Sequence, residues 1–359
     1  MPILMLVEPE SLCWLSGRMV PARDGATWAE ELARLPALKS VVRDDGTGLG
    51  KGLRMDRARR RAARLGDIED SLDVFHTLRE GTRALRTTWA GATRALEGAE
   101  AAQEQVDRRG RQGRPRTGYA IQAQRQWRRA ERIWDQAVAA EVAWERVRGA
   151  FEFFTPEGRL NARCHAEAVV AEALPSLSGP AWAKTRRLLQ RPESFTFLDQ
   201  VQQRMAGLGL EPEVLSAALD LEGLRRQPWR LTGTTPEAAA TRAWALARTV
   251  QLAKARPDWQ EQAQRVRGVL RGVWRASSLV ECVNSVVRMQ QARHRKLSQG
   301  LLDLKRLYWN LRRFRTGRRK DQTPYGLLGL RLPDVSFWEL LKMTPDQLRQ
   351  ELSATGYAP

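Results

Sequence analysis

The sequence predicts an α/β fold class that is interrupted by a large all-α insertion. In the first fifty residues, short apolar runs alternate with turn-forming residues, a pattern typical of short strands and helices. From about Leu65 to Arg271, apolar residues recur at helical spacing and no stretch alternates like a half-buried strand. The length of 359 residues is enough for two domains with sizeable cores.

The first forty residues predict a hairpin, a helix and a further strand. Ile3 to Glu8 and Cys13 to Val20 are short apolar segments on either side of a turn, which predicts two paired strands. Thr27 to Glu30 matches the capping-box pattern, which predicts the start of a helix that ends before Pro36. Leu38 to Val42 is predicted to be another short buried strand.

Rows of residues at seven-residue spacing predict that the insertion begins with a long antiparallel helical hairpin. The rows of the first helix are Leu78, Leu85, Ala92, Ala99 and Val106, and Phe75, Thr82, Trp89, Leu96 and Gln103. The row of the second helix is Ala123, Ala130, Ala137, Trp144 and Phe151. Between them lies a basic turn, residues 108–116, and shorter helices are predicted to follow as far as Arg271.

Two more helices are predicted near the end of the chain. Ser278 to Glu281 is a second capping-box pattern, and the helix it opens has an apolar face and a polar face. The polar face carries Glu281, Asn284, Ser285 and Arg288. The last helix is predicted to start at Ser298. Its predicted buried face is Leu301, Leu304, Leu307, Tyr308, Leu311 and Phe314.

The charge of the chain indicates a polyanionic partner. Lysine and arginine outnumber aspartate and glutamate by 60 to 41, a formal net charge of +19. Such an excess gives salt-dependent affinity for phosphate backbones. Residues 288–320 contain twelve basic residues and one acidic residue. Residues 50–65 contain seven basic residues and one acidic residue, and the turn 108–116 contains five basic residues and no acidic residue. Three separated basic surfaces predict a long ligand such as DNA.

Composition also excludes several classes of protein. No apolar run approaches the roughly 18 residues that a membrane span requires, and the start of the chain lacks the basic segment of a secretory signal. The three cysteines are too few and too scattered for a disulfide framework, and the three histidines lack zinc-ligand spacing. We therefore expect a cytoplasmic protein with no membrane partner.

Two segments near opposite ends of the chain carry motifs. Residues 275–285 read Arg-Ala-Ser-Ser-Leu-Val-Glu-Cys-Val-Asn-Ser, and further residues of the motif follow at 293–295, 310–314 and 324–325. Residues 41–49 read Val-Val-Arg-Asp-Asp-Gly-Thr-Gly-Leu, an apolar strand that ends in aspartate. The first segment resembles the glutamate-bearing end of bacterial insertion-sequence transposases of the DDE class. The second is similar to the segment of that family that carries the second catalytic aspartate.

The resemblance implies a partial ribonuclease H-like sheet interrupted by a helical domain. It implies catalytic and metal-binding roles for Asp44 and Glu281, with Asp45 as the alternative to Asp44. Carboxylates in such sites hold two Mg²⁺ (or Mn²⁺) ions that carry out phosphoryl transfer on DNA. The residues expected to contact DNA are Asn284, Arg288, Arg293, Arg295, Lys296, Arg312, Arg313 and Arg315. The implied partners are transposon ends and target DNA, bound by a homo-oligomer associated with the bacterial nucleoid.

One feature departs from the family. The ribonuclease H-like sheet has three consecutive antiparallel strands before its first helix, and the first strand carries the first catalytic aspartate. Only two strands are predicted here, and neither Glu8 nor Asp24 is well placed as a substitute. We expect an amino-terminally truncated transposase, from an upstream start, a disrupted gene or a decayed copy, with little activity alone. The alternative is a non-catalytic basic helical DNA-binding or assembly protein that keeps only the scaffold.

These observations divide the chain into four predicted segments. Residues 1–55 form the first part of the ribonuclease H-like domain, and residues 56–271 form the helical insertion. Residues 272–333 supply the helices that carry Glu281, and residues 334–359 are a tail. Because a metal site needs its carboxylates close together, we expect Asp44 and Glu281 to meet despite the insertion between them.

Overall fold

The computed structural model describes residues 1–227, 231–232, 234–293, 297–330 and 336–354. The chain divides into two compact units. Unit 1 comprises Met1–Asp70 and Ala276–Pro359, and unit 2 comprises Ser71–Arg275. The first part of unit 1 therefore extends to residue 70 rather than residue 55, and unit 2 ends at residue 275 rather than residue 271.

Unit 1 begins with the predicted β-hairpin. β1 (Ile3–Val7) pairs antiparallel with β2 (Trp14–Met19). The turn between them is held by Glu8, whose carboxylate accepts the backbone N–H groups of Glu10 at 2.9 Å and Ser11 at 2.6 Å. The hairpin prediction is confirmed, and a local acid stabilises its turn.

The first helix, α1 (Gly25–Ala33), begins two residues before the predicted capping box. Asp24 is the cap residue, and its Oδ1 accepts the N–H of Thr27 at 2.9 Å. This hydrogen bond lowers the pKa of Asp24. The prediction that Thr27 caps the helix is therefore wrong, because the aspartate three residues earlier already satisfies the free amide.

A strand–helix–strand unit follows, consisting of β3 (Ser40–Arg43), α2 (Thr47–Ala62) and β4 (Glu69–Leu72). β3 pairs with β4, and the N–H of Glu69 donates to the C=O of Lys39 at 2.9 Å. Both strands begin at this bond, so they run parallel, and α2 is the crossover helix. The part of α2 before residue 56 was not predicted, and β4 lies in a stretch that was wrongly predicted to be helical. The glycines and basic residues of α2 hide its periodicity, and four residues are too few to show alternation.

Unit 2 opens with the predicted helical hairpin, made of α3 (Val74–Arg111) and α4 (Thr117–Ala150). Buried seam residues are Ala92, Ala99, Val106, Ala123, Ala130, Ala137, Trp144 and Phe151. At Gly81 the helices approach so closely that a Cβ atom would lie 2.0 Å from the Trp144 ring. In the row beginning at Phe75, the Phe75 side chain is 51% exposed, whereas the Trp89 ring contacts the Trp134 ring of α4 edge-on with centroids 5.0 Å apart.

Shorter helices complete unit 2. They are α5 (Arg163–Ala173), α6 (Ala183–Leu189), α7 (Thr196–Ala206), α8 (Pro212–Arg226), α9 (Pro236–Ala255) and α10 (Trp259–Gly272). Their core includes Phe151, whose ring stacks on Phe195 and Phe197 with centroids 4.8 and 6.4 Å away. The N–H of Val74 donates to the C=O of Arg275 at 2.8 Å, so the beginning and the end of unit 2 lie next to each other.

The carboxyl-terminal part of unit 1 is also helical. Its helices are α11 (Ser278–Arg293), α12 (Gln299–Leu311), α13 (Pro324–Leu327), α14 (Phe337–Leu340) and α15 (Pro345–Ala354). The predicted tail, residues 334–359, therefore contains two of these helices. Among the described residues, none of the helices is both long and apolar enough to span a membrane.

The start of α12 is as predicted, but its buried face is different. The Ser298 Oγ accepts the N–H of Leu301 at 3.3 Å and caps the helix. Leu302, Trp309 and Asn310 are buried, whereas Leu304 and Tyr308 are 44% and 48% exposed. The predicted face is wrong because α12 packs against β2 through the neighbouring side of the helix.

Two side-chain amides from α12 close the outer edge of β2. The N–H of Trp14 donates to Oδ1 of Asn310 at 2.9 Å, and Nδ2 of Asn310 donates to the C=O of Trp14 at 3.1 Å. The N–H of Met19 donates to Oε1 of Gln299 at 2.8 Å, and Nε2 of Gln299 donates to the C=O of Gly17 at 2.9 Å. Each amide bonds the strand edge as a neighbouring strand would, and an open edge would invite unwanted pairing.

The β-hairpin lies between two helical layers of unit 1. Met5 of β1 packs with Val283 and Val287 of α11. Leu4 and Leu6, on the opposite side of β1, pack toward α1 and α2. Among the described strands, β1–β2 and β3–β4 are separate two-stranded sheets. The α/β class with a large helical insertion is confirmed, while the ribonuclease H-like sheet stays a prediction.

We predict that Asn310→Ala destabilises the protein by about 2 to 4 kcal/mol, because it leaves the buried N–H and C=O of Trp14 without partners. Thermal unfolding followed by circular dichroism, together with hydrogen exchange of the Trp14 amide, measures the effect. Leu304→Ala, on the exposed side of α12, is the control and should cost less than about 1 kcal/mol. Equal destabilisation by the two changes would show that the Asn310 amide does not stabilise the edge of β2.

Candidate nucleic-acid interface and carboxylate site

Asp44 is the first residue after β3, where the sequence predicted a site carboxylate. Its side chain is exposed, and Oδ1 accepts the N–H of Gly46 at 3.0 Å. Arg43, the preceding residue, donates from Nε and Nη2 to both carboxylate oxygens of Asp70 at 2.7 Å. Arg43 and Asp70 are buried, so a bidentate ion pair holds the backbone from which Asp44 projects. The alternative residue, Asp45, is half-buried.

Glu281 lies in the first turn of α11 with its side chain 54% exposed. Its Oε2 lies 3.7 Å from Nη2 of Arg288, which is two turns further along the helix. The buried residues Val283 and Val287 point the other way, toward β1, and Asn284 is half-buried. The predicted separation of α11 into a polar and an apolar face is confirmed.

The described carboxylates of unit 1 do not form a three-acid cluster. Asp44 and Glu281 belong to the same unit, but no described hydrogen bond or ion pair joins them. Within the described ranges, no three His, Cys, Asp or Glu side chains are grouped so that they could hold a metal ion. Mg²⁺ in phosphoryl transfer requires several carboxylate oxygens around shared ions. The donors that the structure describes therefore do not fit a two-metal site.

The other two acids that were considered serve the fold. Glu8 accepts two amides of the β1–β2 turn, and its carboxylate also accepts the hydroxyl of Ser11. Asp24 caps α1. Because backbone N–H groups engage both carboxylates, neither one replaces the first aspartate that the resemblance implies.

The predicted DNA contacts after α12 lie in a loop rather than on the helix. α12 ends at Leu311 because Arg312 adopts an extended backbone conformation. Residues 312–320, which we call the basic loop, contain six lysines and arginines and no acid. The N–H of Phe314 donates to the C=O of Gln322 at 3.0 Å, and the N–H of Asp321 donates to the C=O of Phe314 at 2.9 Å. Arg313 and Arg315, both predicted contacts, are therefore held on a closed loop.

The basic loop is anchored to the β-hairpin and is crowded with positive charge. Arg319 donates from Nε to the C=O of Glu10 at 2.7 Å and from Nη2 to the C=O of Pro9 at 3.0 Å. Partial burial and the neighbouring Arg318 lower the pKa of Arg319. Partial burial likewise lowers the pKa of Arg312, whose guanidinium lies 3.7 Å above the Trp309 ring.

Three further predicted DNA contacts receive little structural description. Arg295 and Lys296 lie outside the described residues. Arg293 is the last residue of α11, and only its place in the helix is described. Arg288 is described, and its exposed guanidinium faces Glu281.

Three of the seven basic residues in segment 50–65, which are Arg57, Arg59 and Arg60, form ion pairs within the fold, so this segment is only partly available as a surface. Arg60 is buried and donates to Asp56 and to the backbone C=O of Leu35. Arg57 binds both carboxylate oxygens of Asp67 at 2.7 and 2.6 Å, and these hydrogen bonds lower the pKa of Asp67 to about 2. Fewer positive charges of this segment are therefore available to bind DNA than the number of its basic residues suggests.

In the basic turn 108–116, one arginine is engaged by an aromatic ring. The guanidinium of Arg109 lies 3.8 Å above the Tyr119 ring, and its Nη2 donates to the Tyr119 hydroxyl at 2.6 Å. The side chains of Arg108, Arg111, Arg114 and Arg116 are exposed. The turn is thus a second exposed basic surface, located in unit 2.

Sequence reasoning missed the residues that position the candidate site. Asp70 lies in a short strand with no periodic signal, and Arg319 is one of many arginines. Asn310 was part of the motif, but nothing in its local pattern distinguished it from a surface residue. Each acts through a partner far away in the chain, so no local pattern could have indicated its role.

We predict that the chain alone has no saturable site for Mn²⁺ at micromolar concentrations, because the described acids do not converge. Titration of Mn²⁺ followed by electron paramagnetic resonance measures free and bound ion. Asp44→Asn and Glu281→Gln should leave the titration unchanged. A saturable site that both substitutions abolish would contradict this and would favour a metal site shared by the two acids.

No known protein family matches this sequence, and neither a curated protein nor a solved structure is detectably similar to it. The resemblance to transposases therefore depends on the motifs at residues 41–49 and 275–325. Function has to be argued from the geometry of the described residues.

Proposed function

We propose that this protein binds DNA in transposition of the DDE class, through the basic loop and the exposed face of α11. The observation that carries the proposal is the basic loop, in which six basic residues and no acid lie on a segment anchored by Arg319. Assembly as a homo-oligomer on transposon ends, association with the nucleoid and a cytoplasmic location belong to the same proposal.

The electrostatics of the basic loop support a polyanionic ligand. Partial burial is the main cause of the lowered pKa of Arg312 and Arg319, and repulsion from Arg315 and Arg318 respectively adds to it. A phosphate backbone placed along the loop relieves the repulsion and releases its own counterions. Because phosphates are the same in every sequence, the loop supports sequence-independent binding.

Phosphoryl transfer would require a third carboxylate besides Asp44 and Glu281. By resemblance, Asp44 and Glu281 are two members of the catalytic set, and the third is expected on a strand that pairs antiparallel with β1. One edge of β1 is bonded to β2, so such a strand would pair with the opposite edge. The described residues do not supply it, and the chain alone is proposed to bind DNA without cutting it.

The second candidate is a non-catalytic DNA-binding or assembly protein on the same scaffold. The lack of a three-acid cluster within the described ranges favours it. Plasmid nicking in Mg²⁺ by the purified chain tests both candidates, and neither predicts it for the chain alone. Nicking that Glu281→Gln abolishes would exclude the non-catalytic candidate and show that the chain needs no third carboxylate, whereas nicking that Glu281→Gln leaves unchanged would count against a catalytic role for Glu281.

We predict that Arg312→Ala, Arg313→Ala and Arg315→Ala together weaken binding to a duplex of about 20 base pairs at least tenfold. The slope of log affinity against log salt should become shallower by up to about three units, since each lost phosphate contact removes about 0.9. Fluorescence anisotropy at several salt concentrations measures both quantities.

Two matched variants test the assignment of this surface. Replacing the same three arginines with lysine keeps the charge and should restore most of the affinity. Replacing Arg108, Arg111 and Arg114 with alanine removes equal charge from the basic turn and should have a smaller effect. If the turn variant loses as much affinity as the loop variant, the duplex does not bind at the basic loop.

A further inference from the structure

A second basic surface lies on α3 in unit 2, where the sequence did not indicate one. A shallow groove is lined by Arg79, Arg83 and Arg86 of α3, by Arg148 of α4 and by the ring of Phe75. We call it the arginine groove. Positions 79, 83 and 86 lie on one side of a helix, so the three guanidiniums form a row about 10 Å long.

The charge of this row is not balanced by neighbouring acids. In the part of the chain that the structure describes, Arg79, Arg83 and Arg86 have no ion-pair partner, and all three are exposed. Glu80, the acid in the groove, lies 3.0 Å from Nζ of Lys184. The hydrogen bond from Lys184 is the main cause of the lowered pKa of Glu80, and the nearby charges of Arg83 and Arg79 add to it, so this one carboxylate faces several cations and does not balance the row.

Two arginines of unit 2 outside the groove illustrate compensation by acids. Arg146 pairs with Glu172, and Arg163 pairs with Glu167 and Asp199 at 2.7 Å each. Arg148, at the rim of the groove, is neutralised by Glu145 at 2.6 Å. The row in the arginine groove keeps its positive charge, which favours an anionic ligand with more than one charge.

The groove also offers an aromatic surface. Phe75 lies one turn before Arg79, and its side chain is 51% exposed although it is large and apolar. The Arg79 guanidinium lies 6.0 Å from the centre of the Phe75 ring. An exposed ring beside a row of cations is the arrangement by which proteins stack an unpaired base and bind the phosphates that follow it.

We infer that the arginine groove binds single-stranded nucleic acid, with a base against Phe75 and consecutive phosphates along Arg79, Arg83 and Arg86. A duplex is a poorer match, because its bases are stacked inside and present no face to Phe75. This inference uses residues of unit 2 alone and does not depend on the basic loop or on Asp44 and Glu281.

The test measures binding of the full chain to fluorescein-labelled oligo-dT of about twelve nucleotides by fluorescence anisotropy. Arg79→Ala, Arg83→Ala and Arg86→Ala together should weaken binding at least tenfold and reduce the salt slope by up to about two units. Phe75→Ala should weaken binding about tenfold without changing the slope, and Phe75→Trp should keep the affinity. All four positions are exposed, and circular dichroism checks that the variants are folded.

The matched control is Arg125→Ala, Arg129→Ala and Arg132→Ala, which removes three exposed arginines with the same spacing from α4. It should lower affinity much less than the groove variant. Equal losses in the two variants, or unchanged binding in Phe75→Ala, would overturn the inference. So would competition by an unlabelled duplex that is as effective as competition by unlabelled oligo-dT.

The same measurements in a chain that lacks the arginines at 312, 313 and 315 separate this inference from the proposed function. If that chain still binds oligo-dT in a manner that depends on Phe75, the arginine groove is supported whatever happens to duplex binding. If groove and loop variants lose duplex and oligo-dT affinity in parallel, the groove has no ligand of its own and the inference is wrong.

Discussion

The closure of the β2 edge by Asn310 and Gln299 is the interaction on which unit 1 depends. A two-stranded hairpin is marginally stable in water, and each strand edge exposes unpaired backbone groups. Here the side-chain amides of α12 make both the donor and the acceptor bonds of a neighbouring strand. Since Asn310 is fully buried, its two bonds are protected from water, and all four bonds join the two ends of the chain into one folded unit.

The same contact between α12 and β2 also positions the basic loop and α11. α12 leads directly into the basic loop, and Arg319 of that loop donates to carbonyl groups of the β-hairpin turn. α11, which carries Glu281, packs on β1 through Val283 and Val287. A substitution that opens the β2 edge would therefore disturb the basic loop and α11 together.

Arginine has two different uses in this protein, which net charge does not distinguish. Arg43 and Arg60 are buried and make several hydrogen bonds each, so their charge is part of the fold. Arg79, Arg83 and Arg86 are exposed on one helix face without ion-pair partners among the described residues. A count of basic residues weights both kinds equally, but only the second kind is available to neutralise phosphates.

Local elements follow from the sequence alone, because hydrophobic periodicity and turn residues act over a few positions. The β1–β2 hairpin, the seam of α3 and α4 and the two faces of α11 were all predictable in this way. Tertiary packing sets three further outcomes: α12 buries Leu302, Trp309 and Asn310, the glycine-rich basic segment after Asp44 is helical, and particular arginines are paired. These outcomes depend on partners far away in the chain, and local pattern carries no information about which partner a side chain will meet.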